Sequence, residues 1–199
     1  MIFGCMILAA GQARRMGTQK LILDLFGKPI LQHVVDLAKS IEFREVLVVI
    51  GSNEEAIRSK VDFVGCTVLS NPDHEEGMAS SLRLGFKTLA QRVDAVVVML
   101  GDQPFVRGST VRTLIKSHEK TGALITIPSY KSQRGNPVIL SSSLVKEVLS
   151  LSGDTGARVL FNKYSSSTTY VAVEDKGVVL DIDTPSDFEE ASNQRPVFE

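Results

Sequence analysis

Two cysteines, three histidines and no tryptophan leave this chain poor in the residues that most often close disulfides, ligate soft metals or anchor aromatic interfaces. Cys5 and Cys66 stand in apolar, β-branched runs and make no CxxC spacing, so buried structural thiols are expected rather than a redox or zinc site. His33, His74 and His118 form neither HxxxH nor HExxH, and no GxSxG surrounds a serine, which disfavours metal-protease and covalent-hydrolase chemistry. Charge of one sign is lacking as well: the formal net charge is -1, so no global basic field is available to a nucleic-acid backbone. Long hydrophobic runs are missing too. The first run, IFGCMIL, is short and follows no basic segment, which predicts neither a secretory leader nor a membrane span, and hence a cytoplasmic protein without nucleic-acid or membrane partners.

What is present is a repeating apolar pattern. With 199 residues and 43% hydrophobic content, the chain suits a single domain over residues 1–199. Runs at 2–8, 46–50, 66–70, 95–100 and 123–127 lack polar alternation, as strands covered on both faces do. Between them, Ile30, Leu31, Val34, Leu37, Ala38 and Ile41 keep a helical stripe that starts at Pro29. A second stripe, Val111, Leu114, Ile115 and His118, lies between an expected N-cap at Ser109 and a stop at Gly122. Strand–helix alternation predicts an α/β, Rossmann-like three-layer sandwich with a mostly parallel sheet and ligand chemistry at the carboxyl ends of its strands. After residue 127, two short strands around a polar loop, helices within 143–151 and 153–164, strands within 168–175 and 178–185 and a last helix at 186–191 predict a small antiparallel excursion.

Three strand-end segments carry candidate chemistry. LAAGQARRMGTQKL, residues 8–21, places Arg14, Arg15 and Lys20 in a glycine-containing loop. It is neither GxxxxGK[ST] nor GxGxxG, so it is neither a P-loop nor a dinucleotide fingerprint, yet backbone N–H groups and cations in such a loop suit a triphosphate. A solvated basic turn explains it equally well. The loop has no aromatic residues among its cations, which disfavours stacking on single-stranded nucleic acid. In GDQP, Asp102 follows an apolar strand, where a carboxylate needs a cation or a capping role. A hydrated Mg2+ is a natural companion, since it favours one or two carboxylates plus phosphate oxygens. In VLDIDTPSDF, alternation sends Asp181 and Asp183 to one side and Ile182 to the other, with helix capping by Asp183 or Thr184 as the alternative use.

Taken in order, LAAGQARRMG with QKL, GKPILQHVV, NPDHEEGMASSLRLG, GDQPFV, RGNPVIL, GDTGARVLF and DIDTPSDF resemble the MobA/MocA-like nucleotidyltransferases, in particular the molybdenum cofactor cytidylyltransferase branch. The resemblance runs along nearly the whole chain. It implies transfer of a nucleotidyl group from an NTP to a terminal phosphate with release of pyrophosphate. It assigns Lys20, Arg15 and Asp102 to catalysis. Leu8, Ala9, Ala10, Gly11, Gly17, Lys20, Asn71, Gly77, Ser80 and Ser81 would bind the nucleotide, while Arg134, Gly135, Asn136, Asp154, Gly156 and Arg158 would bind the acceptor. Asp102 and Asp183, with Asp181 nearby, would hold Mg2+. The implied partners are CTP, a molybdopterin-type cofactor and a molybdenum hydroxylase apoenzyme. The resemblance favours CTP over GTP, because Ala9, Ala10 and Gly11 stand where the GTP branch carries Ala-Gly-Gly or Gly-Gly, and an extra methyl at Ala10 would narrow the base slot against a purine. Sugar- or polyol-phosphate acceptors and a cofactor-delivery chaperone are the alternatives. The chain departs from the family pattern in having no glycine before Arg134 in SYKSQRGNP.

Overall fold

A computed structural model describes residues 1–11, 16 and 19–193. The continuous apolar runs become the centre of one sheet. β1 (Phe3–Ala9), β4 (Val46–Ile50) and β6 (Ala95–Leu100) are almost wholly buried because residues on both faces meet helices. β5 (Thr67–Ser70) closes one edge and is only partly covered. β7 (Ile125–Tyr130), β9 (Val138–Ser141) and β10 (Thr168–Ala172) extend the other side, giving the order β10-β7-β9-β6-β1-β4-β5. β1 is parallel to β4 and β6, β4 to β5, and β7 to β10. β9 is antiparallel to both β6 and β7. The expected antiparallel piece therefore lies inside the main sheet, with a two-residue strand β8 (Gln133–Arg134) hairpinned onto β7.

Period-two alternation sorts the strand residues into two cores. On one face Cys5, Ile7, Val48, Ile50, Val97 and Met99 pack with Leu31, Val34, Val35 and Ala38 of α1 (Ile30–Lys39), Ile57 of α2 (Glu54–Lys60), and Val111 and Leu114 of α4 (Gly108–Thr121). On the other, Met6, Leu47, Val49, Val96 and Val98 meet Ala79, Leu82, Phe86 and Leu89 of α3 (Met78–Leu89), Val148 of α5 (Val145–Leu149), and Leu160 and Phe161 of α6 (Arg158–Lys163). Losing Phe86 from the second core would cost about 3–5 kcal/mol. A third, smaller cluster joins Leu25, Ile30 and Ile182 to Ala191 of α7 (Pro185–Asn193). Leu25 belongs to a short hairpin, β2 (Asp24–Leu25) with β3 (Lys28–Pro29). The three layers match the expected sandwich.

Several local expectations change. α4 begins at Gly108, and its first turn is capped from afar: the Asp175 carboxylate accepts from Arg107 N at 3.0 Å and Thr110 Oγ1 at 2.7 Å, leaving Ser109 no capping role. Its end is as expected, with Gly122 at φ +62 and its N–H on the His118 carbonyl. Cys5 is buried as expected, but Cys66 is only half-buried. The segment 178–185 is not a strand. Asp175 accepts from Gly177 N and starts a 3-10 turn over Lys176–Val179, after which the chain runs extended as a strap. The strap's backbone is satisfied by loops, Asn136 N donating to the Val178 carbonyl and Ile182 N to the Asp102 carbonyl. Two helices carried no clear sequence signal, α2 and α3. In α3 the stripe is blurred by Ser80, Ser81 and Gly85, and Gly85 is small for a reason: a Cβ there would strike the Met6 sulfur.

Candidate functional site

Strand order reverses between β1 and β6, the switch point at which open α/β sheets leave a crevice beyond their strand ends. A cleft of about 840 Å³ opens there. Leu8, Ala9, Ala10 and Gly11, at the end of β1, line it as expected. Gly101, directly after β6, donates its N–H to the Leu8 carbonyl at 2.9 Å, and a Cβ on it would press on Leu31, Leu8 and Ala9. That close approach sets Asp102 beside the end of β1. Asp183 arrives on the strap, held by the Ile182 bond to Asp102 and by a capping box at the start of α7. There Asp187 Oδ2 accepts from Asp183 N and Thr184 N, and Thr184 Oγ1 accepts from Asp187 N.

Lys20 begins a 3-10 turn anchored by buried Leu21. Its ammonium donates to Asp102 Oδ2 at 2.6 Å and Asp183 Oδ1 at 2.5 Å, with only 12% of the side chain exposed. Partial burial works against its charge, but Asp102 and then Asp183 outweigh it and hold the ammonium above the ordinary lysine range. Asp181 also lines the cleft and is tied to the amide of Gln103, a buried side chain that sequence reading did not single out. Three segments remote in sequence thus converge on one cation position. Arg14, Arg15 and Gly17 lie outside the described residues.

The facing wall holds the remaining expected residues at different depths. Gly77 and Ser81 line the cleft, whereas Asn71 and Ser80 sit behind it. The Asn71 amide donates to Ser80 Oγ at 2.8 Å and Ser81 Oγ at 2.9 Å, and its Oδ1 accepts from Asp73 N. This network ties the end of β5 to α3 and leaves Ser81 at the surface of the wall. Gly77, at φ +96 and ψ -178, has a conformation that only glycine adopts readily. A Cβ there would also meet the Gly153 backbone and Asp154, whose carboxylate accepts from Met78 N at 3.3 Å.

Asp154, Gly156 and Arg158 line the same cleft from the loop leading into α6. Arg134, Gly135 and Asn136 join them from the loop before β9, because the reversed strand places its beginning at the carboxyl edge of β6. The absent glycine before Arg134 is accommodated by Lys131 and Ser132, both left-handed at φ 48 and 67, which close the β7–β8 hairpin. Sequence reading missed the apolar floor of this half, Leu82, Val98, Val138, Leu140 and Phe161. The Arg134 guanidinium lies over Phe161, 5.9 Å from the ring centroid. Strand alternation could have flagged Val98. Nothing in one sequence pairs it with Val138.

The donor set bears on a metal. Among the described residues no group of three or more His, Cys, Asp and Glu is arranged to hold an ion. Two carboxylates meeting at one cation position fit Mg2+, which takes one or two carboxylates and completes its shell with water and substrate phosphates. They do not fit a dedicated all-protein cage. No described helix is long and apolar enough to cross a membrane.

The family profile of the MobA-like NTP transferase domain matches residues 5–168. The bifunctional protein GlmU of Shouchella clausii (strain KSM-K16) is 32% identical over 127 residues, 61% of this chain, and the chain spans only 27% of that protein's length. Nicotine blue oxidoreductase of Paenarthrobacter nicotinovorans is 28% identical over 187 residues, covering 89% of this chain and 90% of that one. Rv0371c of Mycobacterium tuberculosis H37Rv superposes with a TM-score of 0.89 at 30% identity, over 97% of this chain and 98% of its own. Its structure in complex with manganese superposes with a TM-score of 0.85 at 27% identity, over 98% and 100%.

Proposed function

The chain belongs to the MobA-like NTP transferase family, and from that premise we propose that it transfers CMP from CTP to the terminal phosphate of a molybdopterin-type cofactor in an Mg2+-dependent reaction. The observation that carries this reading is the meeting of Lys20, Asp102 and Asp183 at the switch point, at the junction between the loop after β1 and the Arg134–Arg158 half of the cleft. In the reaction an acceptor phosphate oxygen attacks the α-phosphorus, a new phosphorus–oxygen bond forms, and the bond to the β-phosphate breaks to release pyrophosphate. Two anions must be brought together, so the protein's work is neutralisation and alignment. The attacking oxygen is already ionised, so the step needs no protein base to activate it.

Asp102 and Asp183 would hold Mg2+, which when bound neutralises phosphate oxygens in the transition state. Lys20 and Arg15 would neutralise the triphosphate and the leaving pyrophosphate. Leu8 to Gly11 and Gly17 would cradle the nucleotide, with Gly77 and Ser81 reading its base and Asn71 and Ser80 holding that wall from behind. Arg134, Gly135, Asn136, Asp154, Gly156 and Arg158 would receive the acceptor, whose ring system suits the apolar floor better than a polyol does. A molybdenum hydroxylase apoenzyme would take the product. The test is incubation with Mg2+, the molybdopterin-type cofactor and CTP or GTP. Pyrophosphate and a dinucleotide form with CTP are expected; a preference for GTP overturns the base assignment, and no pyrophosphate with either overturns the reaction.

A second reading is favoured by the match to nicotine blue oxidoreductase over nine-tenths of both chains. On that reading the apolar floor holds a planar ring that is reduced by hydride from a nicotinamide nucleotide. Oxidation of the nicotinamide with a dye acceptor, in the absence of pyrophosphate release, would establish it.

A further inference from the structure

Lys20 Nζ sits where Asp102 Oδ2 and Asp183 Oδ1 converge, 2.6 and 2.5 Å from them. An ion held by the same two oxygens at the ~2.1 Å typical of Mg2+ needs the same volume. Like charges this close repel one another, and a divalent ion is opposed by the ammonium more strongly than a monovalent one. The backbone of Lys20 cannot readily retreat. Leu21 beside it is 3% exposed, Leu23 N donates to the Lys20 carbonyl at 3.1 Å, and Gln19 Nε2 holds the Ser52 carbonyl at 3.1 Å. The side chain can, because its charge rides on a flexible four-carbon stem.

We propose that Lys20 is an internal counter-ion that keeps the Asp102–Asp183 pair closed to a free divalent ion and releases it only when nucleotide phosphates arrive to receive the ammonium. Metal and nucleotide then enter as one unit. The Lys20 ammonium offsets negative charge on the carboxylate pair, which weakens the pull of the pair on a free metal ion. With no third carboxylate or histidine completing a cage among the described residues, nothing else compensates for that loss. Nucleotide reverses both effects at once, since its phosphates draw off the lysine and supply the missing oxygen ligands. This inference rests on the reading of Asp102 and Asp183 as the metal pair.

Mn2+ is the probe, with its free fraction read by electron paramagnetic resonance and protein stability by thermal melting. Without nucleotide, Lys20→Met should bind Mn2+ at least tenfold more tightly than the wild type. Mn2+ should also restore the melting temperature that two unneutralised carboxylates lower, while hardly moving that of the wild type. Lys20→Met combined with Asp102→Asn should lose both effects. Equal Mn2+ affinity in wild type and Lys20→Met, abolished by Asp102→Asn, overturns the inference but leaves the metal pair standing. Absence of Mn2+ binding in every variant, together with no protection of the wild type by Mn2+ plus CTP or GTP, overturns the metal pair and this inference with it. Should Lys20→Met not fold, the wild type decides: water-proton relaxation enhancement by Mn2+ must rise tenfold or more on adding CTP or GTP, and equal enhancement with and without nucleotide overturns the inference.

Discussion

The two halves of the cleft are built on different physical principles. Where β1 and β6 end, the site is made of charge: one ammonium and two carboxylates from three segments, their backbones held by a few hydrogen bonds. Where α3 meets the loop before α6, it is made of shape: Gly77 at a glycine-only backbone position, Gly156 at φ +56 against the Met78 sulfur, and an apolar floor under Arg134. The first arrangement suits a step in which charge moves between atoms. The second suits a ligand that must be recognised and held. Damage to the charged half should therefore appear in turnover, and damage to the shaped half in binding and stability.

The largest effect is expected from Asp102→Ala. By analogy with deleting one transition-state donor, turnover should fall by about 10²–10³, or roughly 3–4 kcal/mol, while the fold persists because the carboxylate caps no helix and fills no core. Steady-state kinetics with melting as a control checks this. A loss of affinity with turnover intact would erase the proposed division between the halves.

Gly77→Ala should act in the opposite sense. Holding alanine at φ +96 and ψ -178 costs about 1–3 kcal/mol, and its Cβ must displace Gly153 or Asp154. Since this is the point where the segments proposed to bind the base and the acceptor touch, nucleotide and acceptor affinities should weaken together and the melting temperature fall, with turnover at saturation changing least. Calorimetric titration and melting separate these. A variant with normal stability and lost turnover would show that the shaped half takes part in the chemistry.

Asp187→Ala probes how the charged half is aimed without removing a charge from it. The Asp187 carboxylate accepts from the N–H groups of Asp183 and Thr184. Loss of that cap should lower stability by about 1 kcal/mol and slow turnover severalfold, because the backbone that aims Asp183 at Lys20 then loses the acceptor that fixes it. Asp187→Asn, which keeps an acceptor, should recover most of both. Recovery of stability without recovery of rate would place the role of Asp187 in its charge.

The same division explains what one sequence could reveal. The apolar runs were legible because a parallel core tolerates no polar alternation, and Asp102 stood out at the end of one; Lys20 and Asp183, each with a turn or capping role as the alternative, were picked out by the ordered resemblance. The shaped half was not legible. The role of Gly77 depends on Gly153 and Asp154, and Val98 lines the cleft only because the reversed β9 sets Val138 beside it. The strap at 178–185 reads as a strand through its β-branched residues, yet its hydrogen bonds go to Asn136 and Asp102 because Gly177 fits tightly against the Phe105 backbone. α3 was hidden for a related reason, its Gly85 being set by contact with Met6 rather than by helix propensity. Pairings across the sheet are long-range facts that a local pattern does not encode.

Ala10 stands between the halves, and its expected effect is the smallest. It is buried, directly follows β1 and lines the cleft, and it lies so close to Gly51 that a Cβ on that glycine would come within 2.9 Å of its methyl. Ala10→Gly removes that methyl without altering charge, so turnover at saturation should hold while the ratio of CTP to GTP specificity constants moves toward GTP. The shift should be on the order of tenfold, since one methylene in a pocket is worth about 1–3 kcal/mol. Competing the two nucleotides in one reaction measures the ratio directly. An unchanged ratio would mean that the base is selected by the wall carrying Ser81 and Gly77, which would give the shaped half control of nucleotide choice as well as acceptor binding.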